Sequence, residues 1–327
     1  MRDELKLFCD EFIQNRDTLK TLFKWDSAYM WPVCGITLTT HNTKADQEKL
    51  LTCNNLLKAS VGAFSTFRGY VRLPIVAQLS MANSPKDEME NVLAAYHELK
   101  EHYYDSNYLP LAAVCVASLA QKQQYAQIAA RSRELYDLMK KEHPFLTSAE
   151  DSIFAVLLSF SHLSNEQLIR KNEECHTILK DRFGRGNPTQ SLSHVLSLYD
   201  GDSNTLCQRT FDIYDSLKRA GRSFSRLYEL TILGVLAGEG GDVNSIVCDI
   251  LDVDDYLSKQ KGYGFFGLGK QYRLTHAAMI VSSITATGKN VTTTAAASVS
   301  SAISIMAAQQ AAICACVMAA VAANSTT

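Results

Sequence analysis

No CxxC pair occurs in this chain, although it holds nine cysteines. Zinc ribbons and thioredoxin-like redox sites therefore lack their defining element. The cysteines stand singly at 9, 34, 53, 115, 175, 207 and 248, then as Cys314 and Cys316, among mainly apolar neighbours. That pattern predicts reduced thiols packed as small hydrophobes in a reducing, cytoplasmic setting. Six prolines and 16 glycines are few for 327 residues, and alternating β-branched runs are scarce. Helix is the favoured state. Charge of either sign is also not in excess: 32 Lys and Arg face 34 Asp and Glu. No field over the whole chain would draw nucleic acid or anionic lipid, and no basic stripe interleaved with aromatics suggests nucleic-acid binding. The amphipathic start, "MRDELKLFCDEFIQNRD", does not read as a signal peptide.

What is present is an echo. "ELYDLMKKEH" (134–143) returns as "IYDSLKRA" (213–220) and, blurred, as "AYHELKEH" (95–102). An apolar residue followed by Lys anchors each copy at Leu19, Leu57, Leu99, Met139, Leu179 and Leu217, with Leu257-Ser258 a degenerate seventh. The intervals are 38, 42, 40, 40, 38 and 40 residues. Three residues before each anchor stand Arg16, Asn54, Tyr96, Tyr136, His176, Tyr214 and Asp254; ten before stand Cys9, Gln47, Met89, Ala129, Ile169, Cys207 and Val247. Such offsets trace one face of an α-helix.

Between these amphipathic helices lie segments apolar almost all round, at 31–40, 73–82, 109–120, 152–163, 191–201, 227–238 and 273–283. They are predicted to be buried inner helices. Thr147 and Ser148 before Glu150 and Asp151 suggest a capping box, and Pro74 and Pro110 fall in first turns. Asn83-Ser84-Pro85, Asp200-Gly201 and Gly238 are read as exits. The expected architecture is all-α: a right-handed α-solenoid-like array of six to seven hairpins over residues 1–284, with an Ala-rich, helical tail at 285–327. A plain all-α bundle is the alternative.

No charge follows Lys289. Ser301 to Ala323 as a helix would span about 35 Å, enough for a bilayer. Alanine's weak hydrophobicity and the central Gln309-Gln310 instead favour a final helix packed on the last repeat or on a second chain. Membrane contact through residues 290–327 is the competing reading.

Motifs with chemical promise mostly dissolve under spacing. "KGYGFFGLGKQYRL" (261–274) satisfies GxGxxG at Gly262, Gly264 and Gly267, but a helix end precedes it where a dinucleotide cradle needs a strand, and Gln271 stands where a phosphate loop needs Ser or Thr. A loop between repeats is expected, and the functional alternative is a partner or anion contact through Phe265, Phe266, Lys270 and Arg273. "HELKEH" (97–102) places its second histidine five residues after the first, one too many to share a helix face. His176 shares a column with three tyrosines and is expected to pack; His162, His194 and His276 are expected to be core histidines of inner helices. Asp249, Asp252 and Asp255 are read as a solvated acidic face rather than a cation site. No cofactor or metal is expected.

At "FKWDSAYMWPVC" (23–34), "GAFSTFRG" (62–69), "EHPFLTSAEDSIFAVLLS" (142–159) and "GFFGLGKQYRL" (264–274) the chain resembles a bacterial family of proteins of unknown function, number 4003. The resemblance runs to about residue 284, and "AAQQAA" in the tail fits it too. It implies a bacterial cytoplasmic protein and transfers no catalytic residue. The function expected is a non-catalytic scaffold with a protein or peptide partner. The alternatives are an enzyme assembled across repeats from His194, Asp200 and Glu229, and a peripheral membrane protein held by its tail.

Overall fold

Each Lys-ended segment folds as a long helix, and each apolar segment before the last as a shorter one, while the last lies in the 23-residue Lys270–Thr292 helix. The computed structural model describes residues 1–224, 230–264 and 267–292, together with Cys314 and Val317. Among these residues the fold is all-α, with no strand. The long helices are α1 (Asp3–Leu22), α3 (Gln47–Ser60), α5 (Pro85–Lys100), α7 (Tyr125–Glu142), α9 (Asn165–Phe183), α11 (Ser203–Arg219) and α13 (Val243–Ser258). The helices that alternate with them are α2 (Met30–Thr40), α4 (Arg72–Met81), α6 (Leu109–Leu119), α8 (Asp151–Leu158), α10 (Asn187–Ser197), α12 (Leu230–Glu239) and α14 (Lys270–Thr292).

The described residues group into two compact units, one of residues 12–165 and one of residues 1–11 and 166 onward. Within the first, α2 packs on α4 and α6 on α8, while α3 packs on α5 and α5 on α7. Within the second, α10 packs on α12 and α12 on α14, with α11 on α13. Long helix on long helix and inner on inner is the contact pattern of stacked hairpins, and it fits a solenoid-like arrangement.

Every anchor residue is buried: Leu19, Leu57, Leu99, Met139, Leu179, Leu217 and Leu257. The position four before the anchor is buried in every copy as well, as Asn15, Cys53, Ala95, Leu135, Cys175, Ile213 and Val253. Gln47 departs from its expected column. It is exposed, because α3 begins there and Asp46 caps it by accepting from the Lys49 amide at 2.8 Å. The first turn of a capped helix faces water, and Leu50 takes over the burial one turn later.

Aspartate or serine side chains also cap α5, α11 and α13, through Ser84, Asp202 and Asp242. Ser84-Pro85 thus opens α5 instead of closing α4, since proline suits a first helical position. The expected capping box before α8 is half formed. Asp151 reaches back to the Ser148 amide at 2.8 Å, but Thr147 donates to the Met139 carbonyl. Gly238 lies inside α12, one residue before its end. A Cβ there would meet the Tyr199 ring at 2.2 Å, so the glycine serves close packing and not helix exit. Inner helix α10 is polar yet buried from Thr189 to Ser197. Two of its serine hydroxyls bond local carbonyls, Ser193 on Gln190 at 2.7 Å and Ser197 on Ser193 at 2.8 Å, whereas the buried Ser191 hydroxyl has no such bond.

A second column emerges eight residues before the anchor. Lys49 donates to the Ala82 carbonyl, and Arg131 to the carbonyls of Ser159, Ser161 and Leu163. Lys171 donates to the Tyr199 carbonyl, and Arg209 to those of Ala237 and Gly241. Each cation caps the C-terminal end of the inner helix that follows it, where carbonyls lack intrahelical partners and the helix dipole is negative.

Among the described cysteines, seven are buried and none is in a disulfide, as expected; Cys248 is exposed on the outer face of α13. No helix among the described residues is long and apolar enough to cross a membrane. Cys314 and Val317 are helical and buried, and the rest of residues 293–327, where the membrane reading falls, lies outside the described residues.

Candidate functional site: an aromatic rim

Four loops of the unit spanning residues 12–165 join a long helix to its inner partner, and stacking sets them along one edge. In three copies the loop that follows the long helix turns an aromatic residue inward. Tyr103, four residues past Leu99, packs edge-on against Tyr136 of the next long helix, ring centroids 5.6 Å apart. Phe67 does the same to Tyr96 at 4.9 Å. In the other unit Phe183 meets Tyr214 at 5.1 Å. The tyrosine column three residues before the anchor therefore has one recurring neighbour, an aromatic residue delivered by the preceding copy. In the last copy Asp254 occupies that column, fully buried, and receives Arg222 and Arg273 at 2.6 Å each.

Above this buried layer a second set of rings points into solvent. Five to seven residues past successive anchors stand Trp25, Phe64, Tyr104 and Phe145, with relative exposures of 90%, 104%, 95% and 99%. Tyr70 joins them at 45%. No other aromatic side chain among the described residues is so exposed among the large hydrophobic ones. Four bare rings at about 150–250 Å² each amount to roughly 600–1,000 Å², close to one partner's share of a standard protein interface.

The rim is braced from below. Asp105 accepts from the Tyr96 hydroxyl at 2.7 Å and from the Thr66 hydroxyl at 3.1 Å, which ties two neighbouring loops together. Burial, with help from Asp105, pushes the Tyr96 phenol up to about 12, so this bond keeps its proton across the physiological range. Arg133 lies over the rings of Tyr103 and Tyr136 and donates to the His102 carbonyl at 2.9 Å. Lys24 stands 5.3 Å over the Trp25 ring. At one end, between the α1–α2 and α3–α4 loops, the rim opens into a cleft of about 300 Å³ lined by Trp25, Asp26, Arg68, Tyr70 and Arg72, among others.

The residues singled out in the sequence fall elsewhere. Arg273 is engaged by Asp254 through two bonds of 2.6 and 3.1 Å, while Lys270 is exposed at the start of α14. Phe265 and Phe266 lie outside the described residues. The glycines around them make a closed turn: the Leu268 amide donates to the Gly262 carbonyl at 2.8 Å, and a Cβ on Gly267 would stand 2.1 Å from that oxygen. His194 is fully buried with Nδ1 2.6 Å from the Asn172 amide nitrogen, whereas Asp200 is exposed beyond the helix end. Glu229 lies outside the described residues. His276 packs on Tyr263 as a core histidine, with its Nδ1 2.9 Å from the phenol oxygen. His162 does not, because α8 ends at Leu158 and leaves it exposed. The acidic face of α13 is not simply solvated either: Asp249 is buried and pairs with Arg2 at 2.6 Å.

Comparison with known proteins agrees with the family resemblance. The model of the family described as "Protein of unknown function (DUF4003)" matches residues 15–311, a span that includes part of the Ala-rich tail. The chain is 22% identical over 255 residues to an uncharacterized protein, YeaA, of Bacillus subtilis (strain 168), covering 75% of each chain. No solved structure matches.

Proposed function

The chain belongs to the DUF4003 family, and on that premise we propose that it is a non-catalytic scaffold, an α-solenoid of stacked helical hairpins that docks a protein or peptide on its aromatic rim. Family membership supplies no role, so the reading rests on the molecule. The observation that carries it is the row of Trp25, Phe64, Tyr104 and Phe145, bare to water on loops that are otherwise pinned. Leaving rings of this size in solvent forgoes roughly 1.5–3 kcal/mol apiece of burial, and several large exposed aromatics on successive loops mark a candidate interaction surface. Rigid aromatic anchors also bind at small entropic cost. The buried cysteines, none of them in a disulfide among the described residues, support a reducing, cytoplasmic setting.

The test is affinity capture of the full chain against the variant Trp25→Ala/Phe64→Ala/Tyr104→Ala/Phe145→Ala. These side chains are exposed, so the variant folds. One partner recovered at near-equal stoichiometry with the parent, and at least tenfold less with the variant, is the expected result. Recovery unchanged by the substitutions, or no stoichiometric partner in repeated captures, refutes the proposal.

A further inference from the structure

The cleft at the end of the rim has a composition unlike the rest of it. Its aromatic walls, Trp25 and Tyr70, are exposed, and its floor is ionic. Arg72 is held rigidly there. It donates to both oxygens of Asp26 at 2.6 and 2.7 Å, bonds Asn54, and lies 5.8 Å from the centre of the Phe23 ring. Asp26 thereby neutralises Arg72, and Arg68 remains as the uncompensated charge among the cleft's lining residues.

Arg68 is also fixed in place, but through one nitrogen only. Its Nη2 donates to the carbonyls of Lys58 and Val61 at the end of α3. Its Nε is buried without a partner. Among the described residues no acidic side chain pairs with it, and its charge is met there by carbonyl dipoles. A guanidinium positioned by carbonyls, beside two aromatic walls in a cleft of about 300 Å³, is suited to a carboxylate on a short side chain. The volume lies at the lower end of ligand pockets and accepts one side chain, not a cofactor.

We infer that this cleft reads an acidic residue, Asp or Glu, of the peptide segment docked on the rim, with Arg68 as the specificity-determining group and Trp25 and Tyr70 flanking the acid's neighbours. The inference rests on the rim reading above and adds the chemistry of the partner.

The experiment is selection of random heptapeptides displayed on phage against the full chain, followed by titration of the best synthetic peptide. Binding is read by the fluorescence of Trp25, one of two tryptophans. The expected result is enrichment of peptides with Asp or Glu at one fixed position beside apolar residues. Replacing that acid in the peptide by its amide should weaken binding at least tenfold. Arg68→Gln should erase the difference between the two peptides, and Arg68→Lys should restore part of it. Phe145→Ala and Tyr104→Ala should weaken both peptides alike. Enrichment without an acidic position, or an acid and amide that bind equally, overturns the cleft assignment while the rim stands. Failure to enrich any peptide overturns both. Because the acid–amide comparison is made on the parent protein, it holds even if Arg68→Gln unfolds the α3–α4 loop.

Discussion

Replacing Arg131 by Met removes a guanidinium while keeping most of its stem. Arg131 donates to three carbonyls that close the end of α8, at 3.0, 2.7 and 2.5 Å, and to the Asn165 side chain at 3.0 Å. Burial lowers its pKa, against a smaller pull from Glu134, so desolvation already subtracts from the gain. A charged hydrogen bond contributes about 1.5–3 kcal/mol net, and part of the released carbonyl surface regains water. The loss should therefore be about 2–3 kcal/mol for the whole cap, and not the sum over four bonds. For a unit of this size that lowers the melting temperature by roughly 5–10 °C. Arg131→Lys should recover about half, since an ammonium cannot fork to several carbonyls; Lys171 does the same job on the single Tyr199 carbonyl. Amide exchange read by mass spectrometry localises the effect: residues 151–165 should lose protection first. A change below about 0.5 kcal/mol, or protection lost evenly along the chain, would refute the idea that these cations close the inner helices.

Two other perturbations follow from packing and burial. Gly238→Ala drives a methyl into the Tyr199 ring, where a Cβ would lie 2.2 Å away; overpacking of this kind costs about 1–3 kcal/mol or more, and denaturant unfolding with an unchanged midpoint would contradict it. Iodoacetamide on the native protein should label exposed Cys248 far ahead of Cys9, whose thiol burial pushes up to about 12. Peptide mapping that finds Cys9 modified as fast as Cys248 would contradict its burial.

The anchors and the inner helices were legible because periodicity reports burial directly. Leu57, Leu99 and Leu217 are buried where their spacing placed them, and residues 109–116 are buried without exception. The same register held two further signals that a search for apolar columns passes over. Lys49, Arg131, Lys171 and Arg209 share the eighth position before their anchors, but a cation there looks like a solvated charge until the returning helix end is seen. Trp25, Phe64, Tyr104 and Phe145 share a narrow window after theirs. Adjacent aromatics such as Tyr103 and Tyr104 cannot be sorted by composition into one that is buried and one that is bare; the turn geometry decides. The cleft was beyond reach for a different reason. Asp26 and Arg72 lie 46 residues apart and meet only when neighbouring hairpins stack.

The recurring slot, in which an aromatic residue of one copy meets the tyrosine of the next, underlies both the fold and the rim. Double-mutant cycles to Leu on Phe67–Tyr96, Tyr103–Tyr136 and Phe183–Tyr214 measure it directly. Each pair should show a coupling of about 0.5–1.5 kcal/mol. Additive losses at all three pairs, with no coupling beyond about 0.3 kcal/mol, would show that the copies do not share one slot.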